Sequence, residues 1–331
     1  MKVAICDRNL RYLEDLMEYL DGRENCPFEL LGFTDVEGLL TAARADESLR
    51  IAVVSEEMYV AELEELAVKI LILDEGLDKC AEQVYWVDKY QPAREIYKVI
   101  MGLCIEEEDL PALPSGGKET RILGFYSPIK RSMQTAFALA LGRSLSSRYK
   151  VLYVSFEQYA GLRNSMQGQG GKDLFDLLYY LKEAGDKFAY RFSQVEQFRG
   201  DMAYIPPVIA GQNLVYVTVR EWLTLINRLK TLGKFDFVLL DLSDSMQGIF
   251  EILRMCEKIF TATVSEGTAI GKMEQYEYLL RMYEYDDVLV KTLQKKMPEF
   301  EMLPDDGELW TLGLWRDFIH KVEVEDLGVQ V

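Results

Sequence analysis

Histidine is almost missing from this 331-residue chain: His320 is the single copy, which excludes His-rich metal centres and argues against a Ser/His/Asp triad. Cysteine is sparse as well. Cys6, Cys26, Cys80, Cys104 and Cys256 are odd in number and never spaced as CxxC, so neither a disulfide framework nor a zinc site is predicted. No run approaches 18 consecutive apolar residues, and the opening MKVAICDRN lacks a basic stretch followed by a long apolar one. Neither a transmembrane helix nor a signal peptide is therefore expected. Positive charge is in deficit too, with 37 Lys and Arg against 55 Asp and Glu, a net −18. Such a surface repels phosphate backbones and anionic lipid, so nucleic-acid binding and direct membrane insertion are not expected. These absences together predict a soluble cytoplasmic protein with reduced thiols.

What is present is enough for a core: 49% of residues are hydrophobic and 28% charged. The length suits two domains. Residues 106–119, EEEDLPALPSGGKE, combine an acidic run, two prolines and Ser-Gly-Gly, and no helical or strand period crosses them. This predicts a first domain over 1–107, a linker over 108–119 and a second domain over 120–331. Charge is uneven across that break. Residues 1–107 hold 11 Lys and Arg against 24 Asp and Glu, and the remainder hold 26 against 31. The first domain is thus a candidate docking surface for a basic partner, with a solvated face as the alternative.

In the first domain short apolar runs alternate with helical patterns. Strands are predicted at Lys2–Cys6, 28–33, 51–54, 68–73 and 84–87, with helices from Leu10 to Leu20, over 36–44, 58–67 and 92–103. Alternation of this kind predicts a parallel sheet covered on both faces, in the flavodoxin-like order. After the break the pattern restarts, with strands at 121–126, Val151–Ser155, 237–242, 259–264 and 288–293 and helices over 132–147, 173–184, 219–232 and 314–322. The fold class expected is α/β, two doubly wound and mostly parallel domains.

The strand ILGFY runs into SPIKRSMQTAFALALG, and Asp236-FVLL-Asp241-LSDS follows later. In these stretches the second domain resembles the ParA/MinD family of deviant Walker-A ATPases, a P-loop NTPase fold whose loop reads KGGxGKT. The two-domain layout is most similar to the CpaE/TadZ branch, with a receiver-like domain ahead of a ParA/MinD-like one. Ser127, Pro128, Thr135 and Ala138–Gly142 fall into register with the family loop and helix. Ile129 takes the place of the first lysine with Lys130 beside it, Lys130, Arg131 and Met133 replace the glycines, and Gln134 replaces the second lysine. A phosphate-cradling loop needs glycines so that backbone N–H groups converge on the anion, and its lysine neutralises the β- and γ-phosphates. The strand ending VLYVSFEQ puts Ser155 and Glu157 where the family has two aspartates. The resemblance thus implies a degenerate nucleotide pocket of Lys130, Gln134, Thr135, Glu157 and Asp241, with no catalytic residues. No cofactor is expected, and ATP with magnesium is the alternative. Thr135 is left as a cap or magnesium ligand, and Asp241 as a capping and loop-bonding residue.

The receiver likeness implies a second degenerate pocket of Asp7, Ser55, Glu56 and Lys89. Serine at position 55 cannot form an acyl phosphate, so aspartyl phosphorylation is not expected. Glu56 and Glu57 are read as solvated loop acids, with Glu56 or Glu57 filling the pocket as the alternative, and Lys89 with Asp7 as a structural ion pair. Gly168–Asp173, GQGGKD, reads as a connector. The small basic clusters Arg143/Arg148/Lys150 and Lys291/Lys295/Lys296 are weak nucleic-acid candidates, and the C-terminal helix, closing on Glu323, Glu325 and Asp326, is expected to pack on its domain. The CpaE/TadZ likeness implies a non-catalytic scaffold or localisation factor. It would work as a homodimer that organises a Flp/Tad-type pilus machine through a secretion ATPase or membrane platform, recruited to a cell pole or membrane complex. The rivals are a nucleotide-responsive ATPase that positions cargo or partitions DNA, and an acidic interaction module.

Overall fold

The computed structural model describes residues 1–22, 26–77, 84–105, 119–130, 132–162, 166, 171–183, 187–265, 267–298 and 313–329. The expected linker, apart from Glu119, and with it Cys80, Arg131 and 168–170 of the glycine-rich connector, lies outside the described residues. The chain divides into two compact units, one formed by Met1–Pro114 with Ala184–Gln194, the other by Ser115–Glu183 with Val195–Val331.

The first unit is built on β1 (Lys2–Cys6), β2 (Glu29–Phe33), β3 (Leu49–Ser55), β4 (Lys69–Asp74) and β5 (Tyr85–Asp88). Among the described residues they form one parallel sheet in the order β2-β1-β3-β4-β5. The two-residue strand period explains why it is covered on both faces. Val3, Ile5, Ile51, Val53, Leu71 and Leu73 enter one apolar cluster with α1 (Leu10–Asp21) and α3 (Ala93–Ile105). Ala4, Cys6, Ala52, Val54, Ile70 and Ile72 enter the opposite one with Leu39 of α2 (Val36–Ala45). Asn9 and Asp35 open α1 and α2, their side chains accepting from the backbone N–H groups of Tyr12 and Gly38. The helix expected over 58–67 does not form. That stretch holds one end of a short 3₁₀ turn at Glu56–Met58 and a second at Ala61–Glu65, parted by extended Tyr59 and Val60. With Met58 and Leu63 its only buried apolar anchors, packing cannot offset the cost of nucleating a helix so short.

The second unit carries β6 (Arg121–Phe125), α4 (Gln134–Ser146), β7 (Val151–Ser155), α5 (Leu174–Glu183), and then, after an excursion into the first unit through α6 (Phe188–Val195), β8 (Gln197–Arg199) and β9 (Met202–Ile205). There follow α7 (Val219–Thr231), β10 (Phe237–Asp241), α8 (Ile249–Met255), β11 (Lys258–Thr263), α9 (Gly267–Met282), α10 (Asp286–Lys291), β12 (Thr292–Lys296) and α11 (Gly313–Lys321). The strand order is β12-β11-β6-β10-β7-β9-β8, parallel throughout except for the antiparallel β8–β9 pair. The strand expected over 288–293 is a helix to Lys291, and β12 begins only at Thr292. Asp286 and Asp287 favour a helix start, and Arg254 holds Asp287 through paired hydrogen bonds of 3.0 and 2.7 Å.

The central helix α4 is buried on nearly every side, as its run of small and apolar residues requires, with Phe137, Ala138, Leu139, Ala140, Leu141 and Gly142 all enclosed. α7 starts with a reciprocal Thr218–Glu221 capping box and buries Trp222, Leu225, Ile226 and Leu229 at helical spacing. α11 runs on through a π turn at Val322–Asp326, and Trp315, Ile319, Val322, Leu327 and Val329 join the core beside α4. Among the described residues no helix is long and apolar enough to cross a membrane.

Candidate functional site

In an open α/β sheet, ligands sit beyond the carboxyl ends of the strands where the strand order reverses. In the second unit that place lies beyond β6 and β10, which pair in parallel with Asp241 opposite Phe125. The five pocket residues expected there divide between two groups. Asp241 is fully buried and fully engaged. Its Oδ1 accepts from the Gln134 side-chain amide at 2.7 Å, its Oδ2 from the Tyr153 hydroxyl at 2.9 Å, and Thr135 adds a further hydrogen bond. The same Gln134 nitrogen also donates to the Leu242 carbonyl at 2.9 Å. Burial raises the Asp241 carboxyl, opposed by these three donors. Burial, then the neighbouring Asp241 carboxylate, raises the Tyr153 hydroxyl well above its ordinary value.

Tyr153 was not among the residues read as the site. Its signal was an aromatic in the otherwise aliphatic run VLYVS, and only the pairing of β7 with β10 brings it to Asp241. Of the two roles read for Thr135, cap or magnesium ligand, the cap is not taken up. The capping position falls on Met133, a left-handed residue at φ 65°, ψ 21°, and the Thr135 side chain reaches Asp241 instead. Among the described residues Asp241 caps no helix, and its hydrogen bonds go to the junction just described.

The second group lies nearer solvent. Lys130 Nζ meets Asp244 Oδ1 at 2.5 Å, with both side chains more than half exposed. Glu157 follows β7 and is pushed up to about 7, chiefly by burial and then by the Asp241 carboxylate, with Lys130 opposing, Asp244 adding, and a hydrogen bond from Ser243 opposing. Gly211 fixes the approach of the next loop, because a Cβ there would stand 2.0 Å from the Gln158 carbonyl oxygen.

These residues do not fit a magnesium–triphosphate held as a phosphate loop holds it. Residues 127–135 contain no glycine, so the backbone cannot open into a nest of N–H groups without side chains crowding it. The side chain at the lysine position is a neutral amide already committed to Asp241. Lys130 is paired with Asp244, and an entering anion would meet Asp241, Asp244 and Glu157 together. Among the described residues there is also no group of three or more His, Cys, Asp or Glu able to hold a metal ion.

The first unit's pocket sits at its own reversal point, between β1 and β3. Lys89 Nζ lies 2.6 Å from Asp7 Oδ2 and 2.8 Å from Glu75 Oε1, with the lysine and Asp7 almost wholly enclosed. Burial works against the charged lysine, but the hydrogen bonds to Asp7 and Glu75 outweigh it and hold the ammonium above its ordinary value. Glu75 was not among the expected pocket residues; it follows β4, beside the sheet's last strand. Glu56 departs from the solvated-acid reading. It is buried, and its Oε2 accepts the backbone N–H groups of Glu75 and Leu77, both at 2.9 Å. Glu57 does stand half in solvent, bonded to Arg8. Ser55 is buried, its hydroxyl without a hydrogen-bond partner among the described residues.

The basic clusters are largely consumed by the fold. Arg143 donates to the Arg199 carbonyl, Arg148 pairs with Glu323 at 2.7 Å, Lys291 donates to the Arg254 carbonyl and Lys295 pairs with Asp326 at 2.5 Å.

No family model and no curated protein matches the chain. Among solved structures it is similar to a plasmid partition protein of Borrelia burgdorferi, at 14% identity over 62% of this chain and 100% of that one, TM-score 0.45. It is also similar to a variant of Cyanothece McdA in complex with ATP, at 15% identity over 63% and 81%, TM-score 0.43. A third likeness is to cobyrinic acid a,c-diamide synthase of Mycobacterium smegmatis with bound ATP analogue and magnesium, at 17% identity over 64% and 98%, TM-score 0.43. The fold assignment rests on the strand orders themselves: the chain is a two-unit α/β protein with a parallel five-stranded sheet and a mixed, mostly parallel seven-stranded one.

Proposed function

We propose that the protein is a non-catalytic scaffold or localisation factor of the kind its CpaE/TadZ-like layout suggests. In this reading it organises a pilus assembly or secretion machine as a homodimer, bound to a secretion ATPase or membrane platform. The observation that carries this reading is the closed network around Asp241. A phosphate loop in working order offers a free lysine and an acid able to reach magnesium, whereas here Gln134, Thr135 and Tyr153 take up the acid. In the first unit, serine stands where phosphorylation would need a carboxylate, and Lys89 is held between Asp7 and Glu75. Both pockets then act as structural junctions, and the activity left to the molecule is presenting surfaces to partners.

Calorimetric titration of the full-length protein with Mg-ATP tests this. A site useful in a cell binds below roughly millimolar, about −4 kcal/mol. The expected outcome is no heat and no thermal stabilisation at millimolar nucleotide. Saturable binding of one nucleotide per subunit would instead establish the nucleotide-responsive reading, and loss of that binding in Lys130→Ala would place it at this loop.

A further inference from the structure

The helix α6 lies in sequence between α5 and β8, both elements of the second unit, yet Ala184–Gln194 belongs to the first unit. The helix buries residues on more than one side. Tyr190 is 2% exposed and stands in the same apolar cluster as Leu13, Leu16 and Leu20 of α1 and Ile96, Ile100, Leu103 and Cys104 of α3. Gln194, one turn further on, approaches α3 so closely that a Cβ at Gly102 would lie 2.9 Å from its side-chain nitrogen. Burial, with the Cys104 and Cys26 thiols nearby, pushes the Tyr190 hydroxyl up to about 12.

We propose that α6 is an intramolecular ligand of the first unit: its Tyr190 and Gln194 side covers α3, so that α3 stays firmly folded only while α6 is seated on it. Two physical facts support such a device. An aromatic ring enclosed among aliphatic side chains is among the larger single contributions a helix can make to a core, and removing it leaves a cavity. A helix held on the same chain acts at a high effective concentration, so its seat on α3 is filled without competition unless α6 is pulled away. The inference stands apart from the scaffold reading, because it requires nothing of either pocket.

Hydrogen exchange on the full-length protein tests it, comparing wild type with Tyr190→Ala, Tyr190→Phe and Gly102→Leu. Tyr190→Ala is expected to speed amide exchange by roughly tenfold or more in both α6 and Ala93–Ile105 while β6 and β10 keep wild-type rates. Tyr190→Phe keeps the ring and should exchange much closer to wild type than Tyr190→Ala does. Gly102→Leu attacks the contact from the α3 side and should loosen the same two helices together. If α6 loosens in either variant while Ala93–Ile105 keeps its wild-type rate, α6 is only a surface helix and the proposal is overturned. Wild-type rates in both helices of Gly102→Leu would overturn it equally. Should Tyr190→Ala fail to fold, Gly102→Leu decides by the same criterion.

Discussion

At the scale of single residues, the two clusters show how buried charged groups are satisfied by side chains distant in sequence. Gln134 cannot neutralise a phosphate, but its amide satisfies an oxygen of Asp241 and the Leu242 carbonyl at once. Truncation as Gln134→Ala leaves a buried carboxylate short of a donor, and should cost about 1–3 kcal/mol of stability, read as a lower urea midpoint with unchanged slope. Glu157 gives the reverse case, a group whose folded form resists ionisation. Its folded value of about 7 lies above the ordinary carboxylate value of 4.5. As pH rises from 4.5 to 7 the unfolded chain releases this proton before the folded one does, so stability falls through that window and the loss is complete above it. Glu157→Gln should therefore be more stable than wild type at about pH 8 and indistinguishable from it near pH 4, by urea midpoints at each pH. Gln134 stood out in the sequence only through the ParA/MinD resemblance, whose loop has a lysine there. Its partner did not, because a side chain's hydrogen bonds depend on what a strand 107 residues later places beside it.

At the scale of elements, the C-terminal strap is held by more than its apolar stripe. Arg148 pairs with Glu323, which is 2% exposed, Lys295 pairs with Asp326, and Arg121 donates to the Leu327 carbonyl at 3.0 Å. Arg148→Ala leaves a buried carboxylate uncompensated and should cost about 3–5 kcal/mol, while the double variant Arg148→Ala/Glu323→Gln should recover much of it. Chemical denaturation of the single and double variants beside wild type measures both effects. The acidic ending of the C-terminal helix, expected from the sequence to pack on its domain, is thus the segment that forms these ion pairs. Periodicity located α1, α4, α7 and α11 because each buries a stripe or its whole circumference. It misplaced 58–67 and 288–293, where few residues are buried and local choices such as extended Val60 or the Asp286–Asp287 start decide the backbone.

At the scale of the whole molecule, a net −18 sets the terms of association. Two such chains repel, and screening shortens that repulsion to a Debye length of about 10 Å at 0.1 M salt. If the proposed homodimer is held by apolar and aromatic contacts rather than by shared nucleotide, sedimentation should show it strengthened from roughly 50 to 300 mM salt and unchanged by Mg-ATP; a dimer appearing only with Mg-ATP would count against that. The sequence by itself determined the α/β class, the mostly parallel sheets and the absence of glycine from residues 127–135, with a glutamine at position 134. Each is a local property: a short continuous apolar run that fills both faces of a strand, a helix between strands, the presence or absence of a side chain on a loop. Only the tertiary structure decided that Glu56 is buried, that Tyr153 and Gln134 close on Asp241, and that α6 joins the core of the first unit. Those outcomes depend on strand order and on segments distant in sequence meeting in space, where burial and hydrogen-bond satisfaction are settled by neighbours that no local pattern names.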